Sequence, residues 1–191
     1  MASINILNSE TLSEKKYLLQ NITFEITDSK GQLQKQKREV YIRPHGAALL
    51  LYHPVNRTVL LSSQFRLPAW LIDHSGEVIE TCAGIIDENE TPEQAVIREA
   101  EEELGYKVAS VTKVCEIYPS PGALSELIHL YIGEYSEDMK IHDGGGNSKE
   151  GEDIDVLELS FEEVRKMLKN RTFTDAKTII LLQHALIERL I

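Results

Sequence analysis

The chain has little cysteine: Cys82 and Cys115 are the only two in 191 residues, too few for a disulfide framework or a zinc site. Both sit in apolar, strand-like segments and read as buried free thiols. It also lacks any run of about 18 apolar residues, which argues against a membrane-spanning helix. The opening MASINILNSE has neither the basic start nor the apolar stretch of a signal peptide, so a cytoplasmic protein with no membrane partner is expected. Basic residues are scarce, with 20 Lys and Arg against 31 Asp and Glu for a net charge of −11. Binding a nucleic-acid backbone needs a basic face that displaces counterions, so nucleic acid is set aside as a main partner. A single nucleotide is not excluded, because bound metals can supply local positive charge. The six histidines (His45, His53, His74, His129, His142 and His184) are scattered without ligand spacing. No D-x-[DN]-x-[DN]-G calcium loop occurs, nor any internal repeat.

What is present is ordinary for a soluble protein, 42% hydrophobic and 27% charged. The length suits one domain with a sizeable core and a small appendage. Residues 17–28 and 33–43 predict two strands around the turn Asp28-Ser29-Lys30-Gly31, too polar to hold much core of their own. GAALLLYH at 46–53 and TVLLSSQFR at 58–66 predict a second pair around Asn56-Arg57. EVIETCAG at 77–84 reads as one more strand, followed later by KVASVTKVCEIYPS, ELIHLYIGEY and DIDVLEL, all rich in strand formers. Ser160-Phe161-Glu162-Glu163 opens a capped helix to about Lys169, and Thr174 to Arg189 predicts a longer one. Strands outnumber helices without βαβ alternation, so the fold class is α+β, a mixed sheet layered between helices.

The most informative stretch is GIIDENETPEQAVIREAEEELGY, residues 84–106, with the pattern G-x5-E-x7-R-E-U-x-E-E-x-G-U, where U is bulky or apolar. Gly84, Glu90, Arg98, Glu99, Glu102, Glu103 and Gly105 fill the fixed positions; Ala100 is small for its place. Seven fixed residues at ordinary frequencies match by chance on the order of 10⁻⁸ per window. Thr91 and Gln94 form a capping box with Pro92 at the first helical position, and Gly105 closes the helix. The i,i+3 and i,i+4 spacings put Glu99, Glu102 and Glu103 on one face, with Ile97, Ala100 and Leu104 on the other. Like charges so spaced destabilise a helix unless something binds them. Mg²⁺ or Mn²⁺ takes such oxygen ligands and turns repulsion toward a diphosphate into attraction.

This stretch resembles the Nudix box of hydrolases that cleave a nucleoside diphosphate linked to another group. The resemblance implies an α/β/α sandwich over 46–191, with residues 1–45 as an N-terminal β appendage exchanged between two protomers. It implies Glu99 and Glu103 as metal ligands, Glu102 as a further ligand or water-orienting group, Arg98 as their positioner, and Gly84 as the place where the loop passes close to the helix. In the ADP-ribose pyrophosphatase branch the residue before the glycine, here Ala83, offers its carbonyl to the metal. The loop HDGGGNSKEGED at 142–153 is glycine-dense and acidic, which predicts mobility and either a plain connection or a lid. By resemblance it supplies Glu152 as a ligand and Glu150 as general base, with Glu102 still a competitor for that task. Arg66 and Glu126, the latter following Ser120-Pro121-Gly122, match substrate contacts of that branch, and Lys177 matches one in its GDP-mannose-hydrolysing members. Lys37, Arg38 and Glu39 either protect a strand edge or meet phosphate. Tyr17 either stacks on a base or packs the hairpin. The expected activity is Mg²⁺-dependent hydrolysis of a nucleoside diphosphate sugar by a homodimer, with GDP-mannose first and ADP-ribose second. The alternative is a non-catalytic module that senses such a nucleotide.

Overall fold

The computed structural model describes residues 3–147 and 151–191. The chain divides into two compact units. The first comprises the segment up to His45 together with Tyr118–Leu127. Its strands β1 (Ile4–Glu14), β2 (Leu18–Thr27) and β3 (Leu33–Ile42) form an antiparallel sheet in that order. The turn between β2 and β3 forms as expected. The Asp28 carboxylate accepts the amides of Lys30 and Gln32 at 2.8 and 2.9 Å, and Gly31 takes φ +77°. Strand β1 was not anticipated, because INILNSETLSE lacks the alternation of strand formers. It is an edge strand with two register breaks and almost every residue exposed. Strand β3 holds the second segment of this unit: the Tyr41 amide donates to Ala123 O at 2.9 Å, and Tyr41 O accepts from the Ser125 amide at 3.2 Å.

The second unit is built on a seven-stranded mixed sheet. Every residue of β4 (Gly46–His53) is buried, which is why it reads as an unbroken apolar run. It runs parallel to β9 (Ile128–Glu134), and β8 (Thr112–Ile117) lies antiparallel beyond that. On its other side β4 meets β5 (Thr58–Phe65) only at Leu51–His53. There the two strands part, and the expected strand 77–84 fills the gap as two pieces broken at Thr81. β6 (Glu77–Glu80) pairs with β5, and β7 (Cys82–Ile85) pairs with β4. β10 (Ile154–Ser160) closes the far edge of β5.

Alternation along β4 sorts the core into two layers. Ala48, Leu50 and Tyr52 pack with Phe161, Val164, Leu181 and Leu182 of α3 (Phe161–Lys169) and α4 (Ala176–Ile187). Ala47, Leu49 and Leu51 pack with Ala95, Val96, Ala100 and Leu104 of the helix that begins at α2 (Pro92–Glu99). The sheet therefore lies between helices, as expected for the α+β sandwich. The expected capping box forms at Thr91/Gln94, and the expected cap of α3 proves to be a second box, Ser160/Glu163. An unexpected helix, α1 (Leu67–Asp73), has no buried residue and no side-chain cap. Cys82 is buried as expected, whereas Cys115 is only half-buried because it lies on β8 at the sheet's rim.

Candidate active site

The parting of β4 and β5 positions the chemistry. Gly84 lies inside β7, not in a loop, and a Cβ there would overlap the Glu99 carboxylate. Only hydrogen lets the strand and the helix share that space. Beside it the Ala83 amide donates to Glu103 Oε2 at 3.3 Å.

After Glu99 the helix widens into a π turn, Ala100–Leu104, closed by Gly105 at φ +80°. Such turns recur at functional sites. Glu99 and Glu103 are buried, whereas Glu102 is exposed at the rim of the cluster, its carboxylate and that of Glu99 both within reach of Arg98 Nη1. On the other face Ile97 packs half-buried against the core that holds Ala100 and Leu104, as expected, and Val96 joins them fully buried.

Arg98 braces the acids. Its Nε and Nη2 donate to Glu90, both at 3.0 Å, and Nη2 also reaches Ile85 O at 3.0 Å. Its Nη1 donates to Glu99 at 2.8 Å and to Glu102 at 3.3 Å. The Arg98 hydrogen bonds hold the Glu90 carboxyl below its usual range. Glu99 moves the other way, raised by burial against the opposing pull of Arg98. Glu103 is pushed up to about 8 by burial and by the charges of Glu99 and Glu152.

Glu152 therefore acts electrostatically on the box acids, and the glycines at the start of its loop lie directly on the helix end. The amides of Gly145 and Gly146 donate to Glu103 O and Glu102 O at 2.9 and 3.2 Å. A Cβ on Gly144, at φ +74°, would overlap Glu103 O. The glycines serve close packing and left-handed backbone. The Asn147 amide then donates to Glu152 Oε2 at 2.8 Å. Glu150 lies outside the described residues.

Among the described residues no three His, Cys, Asp or Glu side chains stand in ready-made metal geometry. The donor set nevertheless fits a hard cation: it is all oxygen, it is partly buried, and its mutual repulsion lacks a counter-charge deep enough to cancel it.

Beside the acids lies a basic pair that contains two expected substrate residues. Arg66 grips Glu80 through Nε at 2.8 Å and Nη2 at 3.1 Å. Lys177 Nζ stands 3.4 Å from the same carboxylate and 2.6 Å from Asp175. Glu103 also acts on Arg66. Sequence reading missed Glu80. The period-two alternation Val78, Glu80, Cys82 points it inward, and an acid on an inward position is itself a signal.

The remaining expected residues belong to the first unit. Tyr17 is half-buried, edge-on to Tyr41 at 5.8 Å between ring centres, with the Arg43 guanidinium 5.1 Å from its centre. Arg43 pairs with buried Glu126 at 3.6 Å. Lys37, Arg38 and Glu39 are exposed in the middle of β3, opposite Thr23, Ile22 and Asn21. Lys37 lies 3.7 Å from Glu10, and Arg38 folds back onto Gln36 at 3.0 Å.

Residues 43–182 match the NUDIX domain, and residues 3–41 match a domain described as the GDP-mannose pyrophosphatase NudK N-terminal domain. A GDP-mannose pyrophosphatase of Shigella dysenteriae serotype 1 is 43% identical over 189 residues, 98% of this chain and 97% of that one. One of Escherichia coli O157:H7 is equally similar, and that of E. coli O139:H28 is 44% identical over 182 residues. A crystal structure of an ADP compounds hydrolase superposes with a TM-score of 0.68 over 97% of this chain and 94% of its own. At 17% identity it speaks for the fold alone.

Proposed function

The chain belongs to the Nudix hydrolase family, and from that premise we propose that it hydrolyses GDP-mannose to GMP and mannose 1-phosphate. ADP-ribose, giving AMP and ribose 5-phosphate, is the second substrate to try. The observation that supports the reading is the adjacency of buried carboxylates to the Arg66–Lys177 pair. A cluster of carboxylates beside an exposed arginine and a lysine suits a metal diphosphate.

Nudix hydrolases use divalent metals, and we assign Mg²⁺, replaceable by Mn²⁺, to Glu99, Glu103, Glu152 and the Ala83 carbonyl. Bound there, such a cation supplies positive charge to diphosphate oxygens and makes water more acidic. The protein's own groups do the rest. Arg98 fixes the direction of Glu99, and Gly84 leaves the room both need. Exposed Glu102 and the undescribed Glu150 are the candidates to accept the proton from attacking water. Arg66 and Lys177 hold phosphate, while Tyr17, Lys37, Arg38, Glu39 and Glu126 hold the nucleotide. We assign residues 1–45 to a dimerisation appendage, 46–191 to the hydrolase domain, and the protein to the cytoplasm. Among the described residues no helix is long and apolar enough to cross a membrane.

The test is a panel of nucleoside diphosphate sugars with Mg²⁺, scored by product mass. GDP-mannose should give GMP and mannose 1-phosphate, and excess EDTA should abolish turnover until Mg²⁺ or Mn²⁺ is restored. Robust turnover in EDTA refutes the metal assignment. Binding without turnover of any member makes the chain a sensor instead.

A further inference from the structure

We propose that Glu80 is a positioning residue that holds Arg66 and Lys177 side by side as a fixed cationic pair for a substrate phosphate. The proposal rests on the nucleotide-sugar reading and names a residue that reading does not use. Glu80 ends β6, paired with Ser62 of β5, and its side chain is 5% exposed. Both carboxylate oxygens are engaged by Arg66, in the planar two-point geometry that an arginine fork favours. Arg66 comes from the end of β5, whereas Lys177 comes from the first turn of α4, more than a hundred positions later. One buried carboxylate is their common anchor.

The anchor is itself tied down from both sides. Asp175 caps α4 by accepting the Thr178 amide at 2.9 Å, and it accepts the Thr178 hydroxyl at 2.7 Å. That hydroxyl accepts the Thr81 amide, next to Glu80, at 2.7 Å. Two acids and two bases make the group neutral before any ligand arrives, so neither cation needs a counter-ion in the waiting state. The Arg66 side chain remains 43% exposed, and solvent and ligand can reach it. Each of these long side chains gives up rotamer entropy when it is fixed. Glu80 removes much of it in advance, so the loss is not charged to binding. Its two-point grip also fixes which carboxylate the guanidinium faces, although Glu103 acts on Arg66 too.

A residue that merely ties β6 to α4 would change stability and leave substrate affinity alone. The test compares wild type, Glu80→Gln, a variant with Arg66→Ala and Lys177→Ala, and the triple variant. Glu80→Gln should raise KM at least ~10-fold, equivalent to about 1.4 kcal/mol. It should add less than about twofold once both cations are gone, because effects routed through shared partners do not add. An unchanged KM, or an equal rise in both backgrounds, overturns the proposal. Should Glu80→Gln fail to fold, Glu80→Asp keeps the charge but withdraws it by one methylene and should raise KM in the same way. Calorimetry with inorganic pyrophosphate and Mg²⁺ separates this from failure of the substrate reading. Wild type that turns over no nucleotide sugar refutes that reading alone. If wild type binds pyrophosphate no more tightly than Glu80→Gln, or not at all, the positioning role falls.

Discussion

Glu103 concentrates the electrostatic cost of the site. Its folded pKa of about 8 lies above the ordinary 4.5, and burial comes first among the causes, followed by Glu99 and Glu152. Between those two values the folded protein keeps a proton that the unfolded chain has released. The resulting stability is complete below the unfolded pKa and disappears as pH climbs through the folded one. Metal-free protein should therefore lose Tm as pH rises from about 4.5 to about 8, and Glu103→Gln should flatten that slope. A flat profile in metal-free wild type refutes the burial argument. The same substitution should cut kcat at least ~10²-fold, the scale of losing one electrostatic stabiliser. A near-wild-type rate would move the metal site elsewhere.

Strands, helices and loops add their own constraints, and the glycine run before Asn147 is the most exacting. Gly144→Ala would force an L side chain to φ +74° and drive its Cβ into Glu103 O. The left-handed backbone alone costs roughly 1–2 kcal/mol, worth about 2–8 °C of Tm in a domain this size. The loop must also lift from the helix, so kcat should fall while Glu152 loses its place. A variant with wild-type Tm and kcat would show that the docking is dispensable. Elements with a signal of their own could be read without coordinates: β4 from its apolar run, α3 from Ser160 and Glu163, and the box helix from Thr91 and Gln94. Elements that exist through tertiary pairing could not. The break at Thr81 arises because β6 and β7 follow different neighbours, and nothing in Val78-Ile79-Glu80-Thr81-Cys82 marks it. Helix α1 has only Pro68 to announce it, and β1 is spelled in Asn, Ser and Glu. The site divides in the same way. Its contiguous box was legible, whereas Glu80 acquires meaning only when Lys177 folds back beside it.

Over its full length the chain places apolar surface where no core uses it. Ile4 and Ile6 on β1 are 61% and 62% exposed, and Leu71 and Ile72 on α1 are 63% and 85% exposed. Such surface calls for a partner, and a homodimer is expected, measurable by sedimentation as about twice 21.6 kDa. A stable, fully active species of about 21.6 kDa contradicts it. Neither unit is continuous in sequence: β3 takes its backbone partners from residues 123 and 125, and β4 lies against 128–134. On the ribosome this becomes a matter of timing. At about 5–20 residues per second, β1–β4 leave the exit tunnel several seconds before their later partners do. For that interval the nascent chain presents open strand edges, among them the side of β4 that β9 later covers, and these are templates for wrong pairing. The gap between residues 53 and 123 thus sets a waiting time in synthesis, during which a chaperone has the first claim on the chain.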